Sequence, residues 1–176
     1  LVHYRRQFAE ALKRYAARHH RECSGGRERL EITYQTVSSV TDPAAEVEVL
    51  TEQLRAHMES HQGAERASRM CLSGPHKDDL VITIDGREAK SYSSQGQTRT
   101  AALALKLAER EIYQNATGEY PVLLLDDVLS ELDPRRQEFV LNRIAGGQVF
   151  ITCCEDDRLP VLLGGKVFHV KQGAIG

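Results

Sequence analysis

Residues 122–133 read Val-Leu-Leu-Leu-Asp-Asp-Val-Leu-Ser-Glu-Leu-Asp, and this stretch decides the fold class of the 176-residue chain. Four consecutive apolar residues after Pro121 predict a strand buried on both faces, which is typical of the parallel sheets of α/β proteins. Asp126 and Asp127 follow at the carboxyl end of this strand, where open α/β sheets bind ligands. Because unpaired carboxylates are costly in a dry site, we expect these two to serve a cation or a mobile proton.

The paired acids have the layout of a Walker B nucleotide site. Oxygen ligands of this type suit Mg²⁺. We assign Asp126 to the metal shell, through a metal-bound water, and Asp127 to positioning or deprotonating the water that attacks the γ-phosphate of ATP. The structural alternative is a helix-capping Asp beside a solvated Asp at the end of a strand.

A second motif, Ser-Gln-Gly-Gln at residues 94–97, leads into a helix with a broad apolar stripe. The hydroxyl of Ser94, the bare backbone at Gly96 and the N–H groups of the first turn predict an anion-binding helix terminus. The stripe predicts that this helix packs on a sheet, through Leu103, Leu105, Leu107, Ala108 and Ile112. A plain capped helix explains the same residues as an alternative.

Taken in chain order, these motifs and the segment at residues 130–133 resemble the signature, Walker B and D-loop of the ABC-type ATPases. Within that superfamily, three strings look like the RecF family: Gly-Pro-His-Lys-Asp-Asp-Leu at 74–80, Ser-Gln-Gly-Gln at 94–97, and Leu-Leu-Asp-Asp-Val-Leu-Ser-Glu-Leu-Asp at 124–133. The second acid, Asp127 where many relatives have Glu, fits the same family. The resemblance is dense from about residue 74 to residue 154.

The resemblance implies an α/β fold, the carboxy-terminal lobe of an ABC-type (P-loop NTPase) ATPase head at residues 71–176. Residues 1–70 would be the carboxy-terminal part of a mostly helical arm domain. No Gly-x-x-x-x-Gly-Lys-Ser/Thr phosphate loop occurs in the sequence, and Gly164-Gly165-Lys166 lacks its spacing. We therefore expect a carboxy-terminal portion of a longer protein that does not hydrolyse ATP by itself.

In the geometry that the resemblance implies, two heads sandwich ATP and Mg²⁺. The signature turn of one subunit would cap the γ-phosphate held by the other, while Asp126 and Asp127 act in cis with the absent phosphate loop. Where related ATPases place a switch His, this sequence has Thr152-Cys153-Cys154. The residue that would sense the γ-phosphate is therefore left unassigned. The residues expected to contact the nucleotide are Ser94, Gln95, Gly96, Gln97, Ser130 and Asp133.

The implied function is an ATP-dependent DNA-binding clamp in recombinational and replication-gap repair, which helps load RecA at single-strand gaps. The full-length protein would be a weak DNA-dependent ATPase and a homodimer when ATP is bound. Its expected partners are double-stranded and gapped DNA and the recombination mediators RecR and RecO. The alternatives are a dimerisation or partner-binding module without nucleotide chemistry, and the head of another SMC-like repair ATPase.

Composition favours a cytoplasmic protein, because no signal peptide is visible and no apolar run approaches the roughly 20 residues of a membrane span. Four cysteines, Cys23, Cys71, Cys153 and Cys154, lack the spacing of a zinc site, so we expect reduced thiols. The cluster of His19, His20 and Cys23 is interpreted as an exposed helix end rather than a metal site.

The net charge of −2 is unevenly distributed, since residues 1–29 carry eight Lys and Arg against three acids. A basic helix that follows DNA phosphates is one interpretation. The other is a solvated face opposite a buried stripe of Phe8, Leu12 and Tyr15.

Local patterns predict the remaining elements. Helices are expected at residues 1–22, at 42–61 after an Asp42-Pro43 cap, at 64–70 and after Asp133-Pro134. Strands are expected at 30–34, 80–84, 89–92, 149–152 and 166–170, with the second and third joined by an Asp85-Gly86 turn. The string His-Lys-Asp-Asp at 76–79 has no assigned role, and an ion-paired turn supporting the sheet is an alternative to phosphate or proton chemistry.

Overall fold

The computed structural model describes residues 1–129, 132–153 and 165–175. The chain divides into two compact units, Leu1–Ile112 and Tyr113–Gly176, and the division falls within one helix. The boundary between arm and head at residues 70 and 71 stays a prediction. No helix among the described residues is both long enough and apolar enough to cross a membrane.

The first unit combines helices with a three-stranded sheet. Its elements are α1 (Val2–Cys23), β1 (Leu30–Gln35), α2 (Val47–Ser68), a 3-10 turn (Pro75–Lys77), β2 (Asp79–Ile84), β3 (Arg87–Glu88), α3 (Ala89–Tyr92) and α4 (Gln95–Thr117). Strand β1 pairs antiparallel with β2, so that Leu30 lies opposite Ile84 and Gln35 opposite Asp79. The sheet therefore joins the segment before α2 to the segment after it.

The core of the first unit brings α1 and α4 against this sheet. Leu12 and Ala16 of α1, Leu30 and Ile32 of β1, Ile84 of β2, and Ala101 and Ala108 of α4 form one buried cluster. Leu105 and Ile112 pack against its margin, which confirms that α4 packs on a sheet through the predicted stripe. The helix that follows the signature turn, residues 94–97, is thus fixed by apolar burial.

Helix α1 ends at Cys23, close to the predicted end at residue 22, and two glycines follow it. Gly25 and Gly26 have φ values of 68° and 75°, in the left-handed region that favours glycine. The Gly26 N–H donates to Arg21 O at 2.7 Å, which closes the helix. The buried stripe of α1 differs from the prediction, because Phe8 is exposed and the buried residues near it are Val2, Ala9, Leu12 and Ala16.

Helix α2 begins later and runs further than predicted. The Asp42-Pro43 signal is used in a turn instead, where Asp42 Oδ1 accepts from the Ala44 N–H at 2.8 Å. Helix α2 starts at Val47 and continues through the predicted break near Gly63 to Ser68. Its buried side chains are Leu50 and His57, whereas Val47 and Met58 are exposed.

The β2–β3 hairpin confirms the predicted Asp85-Gly86 turn. Both residues have positive φ, 51° and 77°, as the tight turns of twisted hairpins require. The strand predicted at residues 89–92 was wrong, since this segment is the short helix α3.

The second unit contains a parallel strand pair. Its described elements are β4 (Leu123–Asp126), α5 (Pro134–Arg143), β5 (Val149–Thr152), β6 (Val170–Lys171) and β7 (Ala174–Ile175). Strand β4 pairs parallel with β5, and Asp126 lies opposite Thr152 at the carboxyl ends. This confirms the predicted parallel α/β arrangement, while the predicted strand at 166–170 is confined to the short β6.

The prediction that β4 is buried on both faces was wrong for this chain. Leu123 and Leu125 are buried, but Leu124 is 70% exposed. Phe150, the register partner of Leu124 on β5, is also exposed. One face of the strand pair is therefore buried or half-buried, and the other presents apolar side chains to solvent.

The string at residues 76–79 contains a buried carboxylate, Asp78, that forms an ion pair with the partly exposed Arg5. Asp78 Oδ2 accepts from Arg5 Nη1 of α1 at 2.8 Å and from the Tyr34 hydroxyl of β1 at 2.7 Å, with the Asp78 side chain 3% exposed. Burial and the hydrogen bond to Asp78 raise the pKa of Tyr34 well above its usual value. His76, Lys77 and Asp79 are exposed. The alternative of an ion-paired turn that supports the sheet thus accounts for Asp78.

Replacement of Asp78 by Ala should lower the free energy of unfolding of the full-length protein by about 1–3 kcal/mol, since Tyr34 and Arg5 lose their shared acceptor. The matched control is Asp79→Ala, which removes an exposed carboxylate from the next position. Urea denaturation followed by circular dichroism measures both. Equal stability of the two variants would contradict a supporting role for Asp78.

Candidate nucleotide site

The signature turn is a capping box at the start of α4. The Ser94 hydroxyl oxygen accepts from the Gln97 N–H at 3.2 Å, and the Gln97 side-chain oxygen accepts from the Ser94 N–H at 2.9 Å. This reciprocal pair is the arrangement that Ser-x-x-Gln favours at a helix start. Sequence reasoning identified the helix terminus and missed the capping box, although the Ser-x-x-Gln spacing was the available signal.

The capping box leaves a specific set of donors at the turn. Since the Ser94 oxygen acts as an acceptor toward Gln97, its own hydroxyl hydrogen can still be donated to an anion. Ser94 and Gln95 are exposed, and Gly96 carries no side chain to block an approach to the backbone. The positive end of the α4 dipole points in the same direction. The turn therefore has the chemistry of a phosphate contact.

Deeper in the same turn, polar groups are satisfied within the unit. The Thr100 hydroxyl, fully buried, donates to Gly96 O at 2.8 Å. The Gln97 side-chain nitrogen donates to Glu28 Oε1 at 3.2 Å. These bonds fix both the backbone carbonyl of Gly96 and the side chain of Gln97.

The two acids of the second unit follow β4 as predicted. Asp126 is the last residue of the strand, and Asp127 adopts φ = 52°, a left-handed conformation in a residue that has a side chain. Both are exposed. Left-handed non-glycine residues are uncommon and concentrate at functional sites, which adds a geometric reason to single out Asp127.

Thr152 at the end of β5 holds this turn in place. Its hydroxyl donates to Asp126 Oδ1 at 2.5 Å and accepts from the Asp127 N–H at 3.0 Å. The Thr152 carbonyl accepts from the same N–H at 3.2 Å. Thr152, the first residue of the segment that stands where a switch His was expected, thus bonds to the carboxylate of Asp126 and to the backbone of Asp127.

The donor set at this strand end fits Mg²⁺. It consists of carboxylate and hydroxyl oxygens, and Asp126 has a second oxygen beyond the one that Thr152 binds. Within the described parts of the chain, no three His, Cys, Asp or Glu residues are grouped as a complete metal cage. Because Mg²⁺ in nucleotide sites is usually held by one or two carboxylates together with phosphate oxygens and water, such a cage is not required.

The remaining predicted residues have different outcomes. Asp133 caps α5 by accepting from the Arg136 N–H at 3.0 Å, and it lies 3.2 Å from the Arg136 guanidinium, as the Asp-Pro signal predicts. Ser130 and Cys154 lie outside the described residues. Cys23, Cys71 and Cys153 are free thiols.

The predicted exposure of the His19, His20 and Cys23 cluster was wrong, because all three side chains are buried. His19 Nε2 lies 3.0 Å from Glu111 Oε2, and His20 Nε2 lies 3.1 Å from Glu28 Oε2. Glu111 is 92 residues from His19 and Glu28 lies beyond the glycine break that follows α1, so the local helix pattern did not reveal either partner.

No protein-family model matches the chain. It is 42% identical over 174 residues to the DNA replication and repair protein RecF of Symbiobacterium thermophilum, covering 95% of this chain and 46% of the relative. It is 39% identical to the Bacillus subtilis protein of the same name, covering 97% and 47%. The chain belongs to the RecF family. It spans about half the length of the curated relatives that it matches.

Solved structures agree with this assignment. The chain superposes with a TM-score of 0.81 on the recombination mediator protein RecF, described as RecF-ATPrS in the RecFOR pathway, at 36% identity. A second structure, described as RecF-ATP, gives a TM-score of 0.79 at 36% identity. Each match covers nearly all of this chain and 45% of the solved one. The fold is therefore that of part of an ABC-type ATPase of the RecF family.

We expect Thr152→Val to lower the free energy of unfolding by about 0.5–1.5 kcal/mol, because the hydroxyl bonds to Asp126 and Asp127 are lost. Thr152→Ser keeps the hydroxyl and should retain most of the stability. Valine is a good strand former, so Thr152→Val would be as stable as the wild type if Thr152 served only as a strand residue of β5. Urea unfolding of the full-length variants tests this, and a Val variant of wild-type stability would contradict the role.

Proposed function

We propose that this chain is the signature and Walker B portion of a RecF-family ATPase that binds DNA in an ATP-dependent manner during recombinational repair. The observation that carries the proposal is a family match over nearly the whole chain together with two motif geometries in this structure. These are the capping box at Ser94 and the acid turn at Asp126 and Asp127.

In this proposal the signature turn receives the γ-phosphate of an ATP molecule bound mainly by a second copy of the protein. Ser94 donates its hydroxyl hydrogen, and the first-turn amides and the helix dipole favour the negative charge. Dimerisation then depends on ATP because the nucleotide links the two copies. Asp133, which caps α5, is proposed to lie near the same seam.

The acid turn would act on the nucleotide bound by its own subunit. Asp126 would hold Mg²⁺, directly or through water, and Mg²⁺ when bound neutralises charge on phosphate oxygens. Asp127, aimed by its left-handed backbone, would orient the attacking water or accept its proton. Thr152 would keep Asp126 in one orientation by donating to Oδ1. The phosphate loop that completes the site is not in this sequence, so hydrolysis is proposed for the full-length protein.

The exposed apolar face of the strand pair supports the view that further chain completes the head. Leu124 and Phe150 are adjacent in register and open to solvent, and contiguous exposed apolar surface usually marks an interface. The RecF relatives have about as much chain again as this sequence. We propose that the remaining lobe covers this face.

The basic amino-terminal segment is proposed to contact DNA through a subset of its charges. Arg5 and Arg18 are engaged in ion pairs with Asp78 and Glu111. Lys13, Arg14 and Arg21 are exposed on α1, and these three remain as candidates for phosphate contacts.

Ser94→Arg should abolish ATP-dependent dimerisation of the full-length protein, because a long cation replaces the hydroxyl at the turn. The matched control is Ser91→Arg, which places the same charge on an exposed position of α3. Analytical ultracentrifugation with and without ATP measures the dimer. ATP-dependent dimerisation by Ser94→Arg would exclude the capping role and favour a nucleotide-independent module.

Asp126→Asn in the full-length protein separates the role of the acid turn in ATP turnover from the role of the signature turn in dimerisation. It should leave ATP-dependent dimerisation in place while reducing ATP turnover by at least about 100-fold. Unchanged turnover would remove Asp126 from the chemistry.

A triple substitution of Lys13, Arg14 and Arg21 by Ala should weaken binding to double-stranded DNA and reduce the salt dependence of binding. Each lost phosphate contact lowers the slope of log K against log salt by about 0.9. Arg55→Ala and Arg66→Ala, together on exposed α2, form the control. Fluorescence anisotropy at several salt concentrations gives the slope. An equal loss in the control would mean that net charge, rather than α1, governs binding.

A further inference from the structure

Gln97 is held at both ends of its side-chain amide. Its oxygen accepts from the Ser94 N–H at 2.9 Å, and its nitrogen donates to Glu28 Oε1 at 3.2 Å. A Gln side chain has three rotatable bonds, and hydrogen bonds at both its oxygen and its nitrogen exclude most of its rotamers. The half of the capping box that Gln97 supplies therefore depends on where Glu28 lies.

Glu28 is in turn placed by a buried histidine. Its second oxygen, Oε2, lies 3.1 Å from Nε2 of His20, whose side chain is 0% exposed. The separation is that of an ion pair, although its alignment falls short of a hydrogen bond. A largely buried carboxylate without such a neighbour would seek water and turn away from Gln97.

The support for these groups is rigid. His20 is one turn beyond Ala16 on α1, and Ala16 shares the buried cluster with Ala101 and Ala108 of α4. The same two helices are joined a second time by Glu111, which accepts from Arg18 and lies 3.0 Å from His19. The side-chain contacts from His20 to Glu28 and from Glu28 to Gln97 thus connect two helices that already pack together.

Charge gives the pair a second consequence. Glu28 carries a negative charge close to a turn that is proposed to receive a phosphate, and an isolated carboxylate there would oppose anion binding. His20 Nε2, 3.1 Å from Glu28 Oε2, offsets that field whenever the imidazole carries a positive charge.

We propose that His20 and Glu28 are positioning residues for the signature turn, holding Gln97 so that Ser94 and the first-turn amides of α4 keep one geometry. The link to phosphate binding rests on the proposed function of this turn, whereas the positioning of residues 94–97 does not. Neither residue belongs to the motifs that identify the family.

The positioning step is tested by hydrogen–deuterium exchange of the full-length protein without nucleotide. Glu28→Ala should raise the exchange rate of the peptide carrying residues 94–97 several-fold, up to about tenfold, since the Gln97 bond to the Ser94 N–H loses its support. Glu28→Gln keeps an oxygen for Gln97 and should restore slow exchange. The matched control is Glu111→Ala, which breaks the other contact between α1 and α4 and should leave this peptide unchanged.

Wild-type exchange in Glu28→Ala would overturn the positioning role. The same rise in Glu111→Ala would also overturn it, because general loosening of the two helices would then be the cause.

The consequence for nucleotide binding is tested by ATP-dependent dimerisation of the same variants. Glu28→Ala should require about tenfold more ATP for half-maximal dimerisation, and Glu28→Gln and Glu111→Ala should behave as the wild type. Faster exchange with unchanged ATP dependence would overturn the link between positioning and phosphate binding. If Ser94→Arg still dimerises with ATP, the proposed function fails, and the exchange data decide the positioning role independently.

Discussion

Glu28 has to be paired because it is largely buried, and that requirement connects helix α1 to the start of helix α4. His20 faces one carboxylate oxygen and Gln97 donates to the other. The apolar cluster around Ala16 and Ala101 determines how closely the two helices approach. Hydrophobic packing alone tolerates small shifts between helices, whereas a chain of directional polar contacts specifies one arrangement. These contacts specify the geometry of the signature turn.

A related device operates in the second unit at the end of β4. The parallel pairing with β5 places Thr152 opposite Asp126, so the hydroxyl reaches the carboxylate without any adjustment of the strands. The same hydroxyl and the Thr152 carbonyl hold the Asp127 N–H, which stabilises the left-handed backbone of Asp127. Each unit therefore uses a residue outside the two acids and the signature Ser to fix the candidate site. Such supporting residues are what keep a site in a productive geometry.

The sequence predicted those elements whose signals are local. The α4 stripe, the Asp85-Gly86 hairpin and the parallel strand ending in Asp126 all depend on periodicity or turn chemistry within a few residues. Helix α2 was misjudged because Asp42-Pro43 can open a turn as readily as a helix, and because one Gly63 does not break a long helix. The strand at 89–92 failed since four residues offer too little pattern to separate strand from helix.

The supporting residues could not be predicted because their partners are distant in the sequence. Glu111 is 92 residues from His19, and Gln97 is 69 residues from Glu28. Nothing in the string His-His-x-x-Cys reports these partners, so an exposed helix end was the reasonable interpretation and was wrong. The same holds for Asp78, which lies in a motif of the family yet binds Arg5 and Tyr34 from other elements. Pairing across long separations is a property of the folded chain.

In this chain, the residues of one motif therefore divide between those that the fold uses internally and those that can still bind a ligand. In the string 74–80, the carboxylate of Asp78 is buried and paired within the fold, while its neighbour Asp79 is exposed. In the signature turn, Gln97 uses both ends of its amide internally, whereas the Ser94 hydroxyl retains a hydrogen to donate. In the acid turn, Asp126 gives one oxygen to Thr152 and keeps another. A residue can act on a ligand only with the bonding capacity that the fold leaves to it, and by that criterion Ser94 and Asp126 are strong candidates among the motif residues that the structure describes.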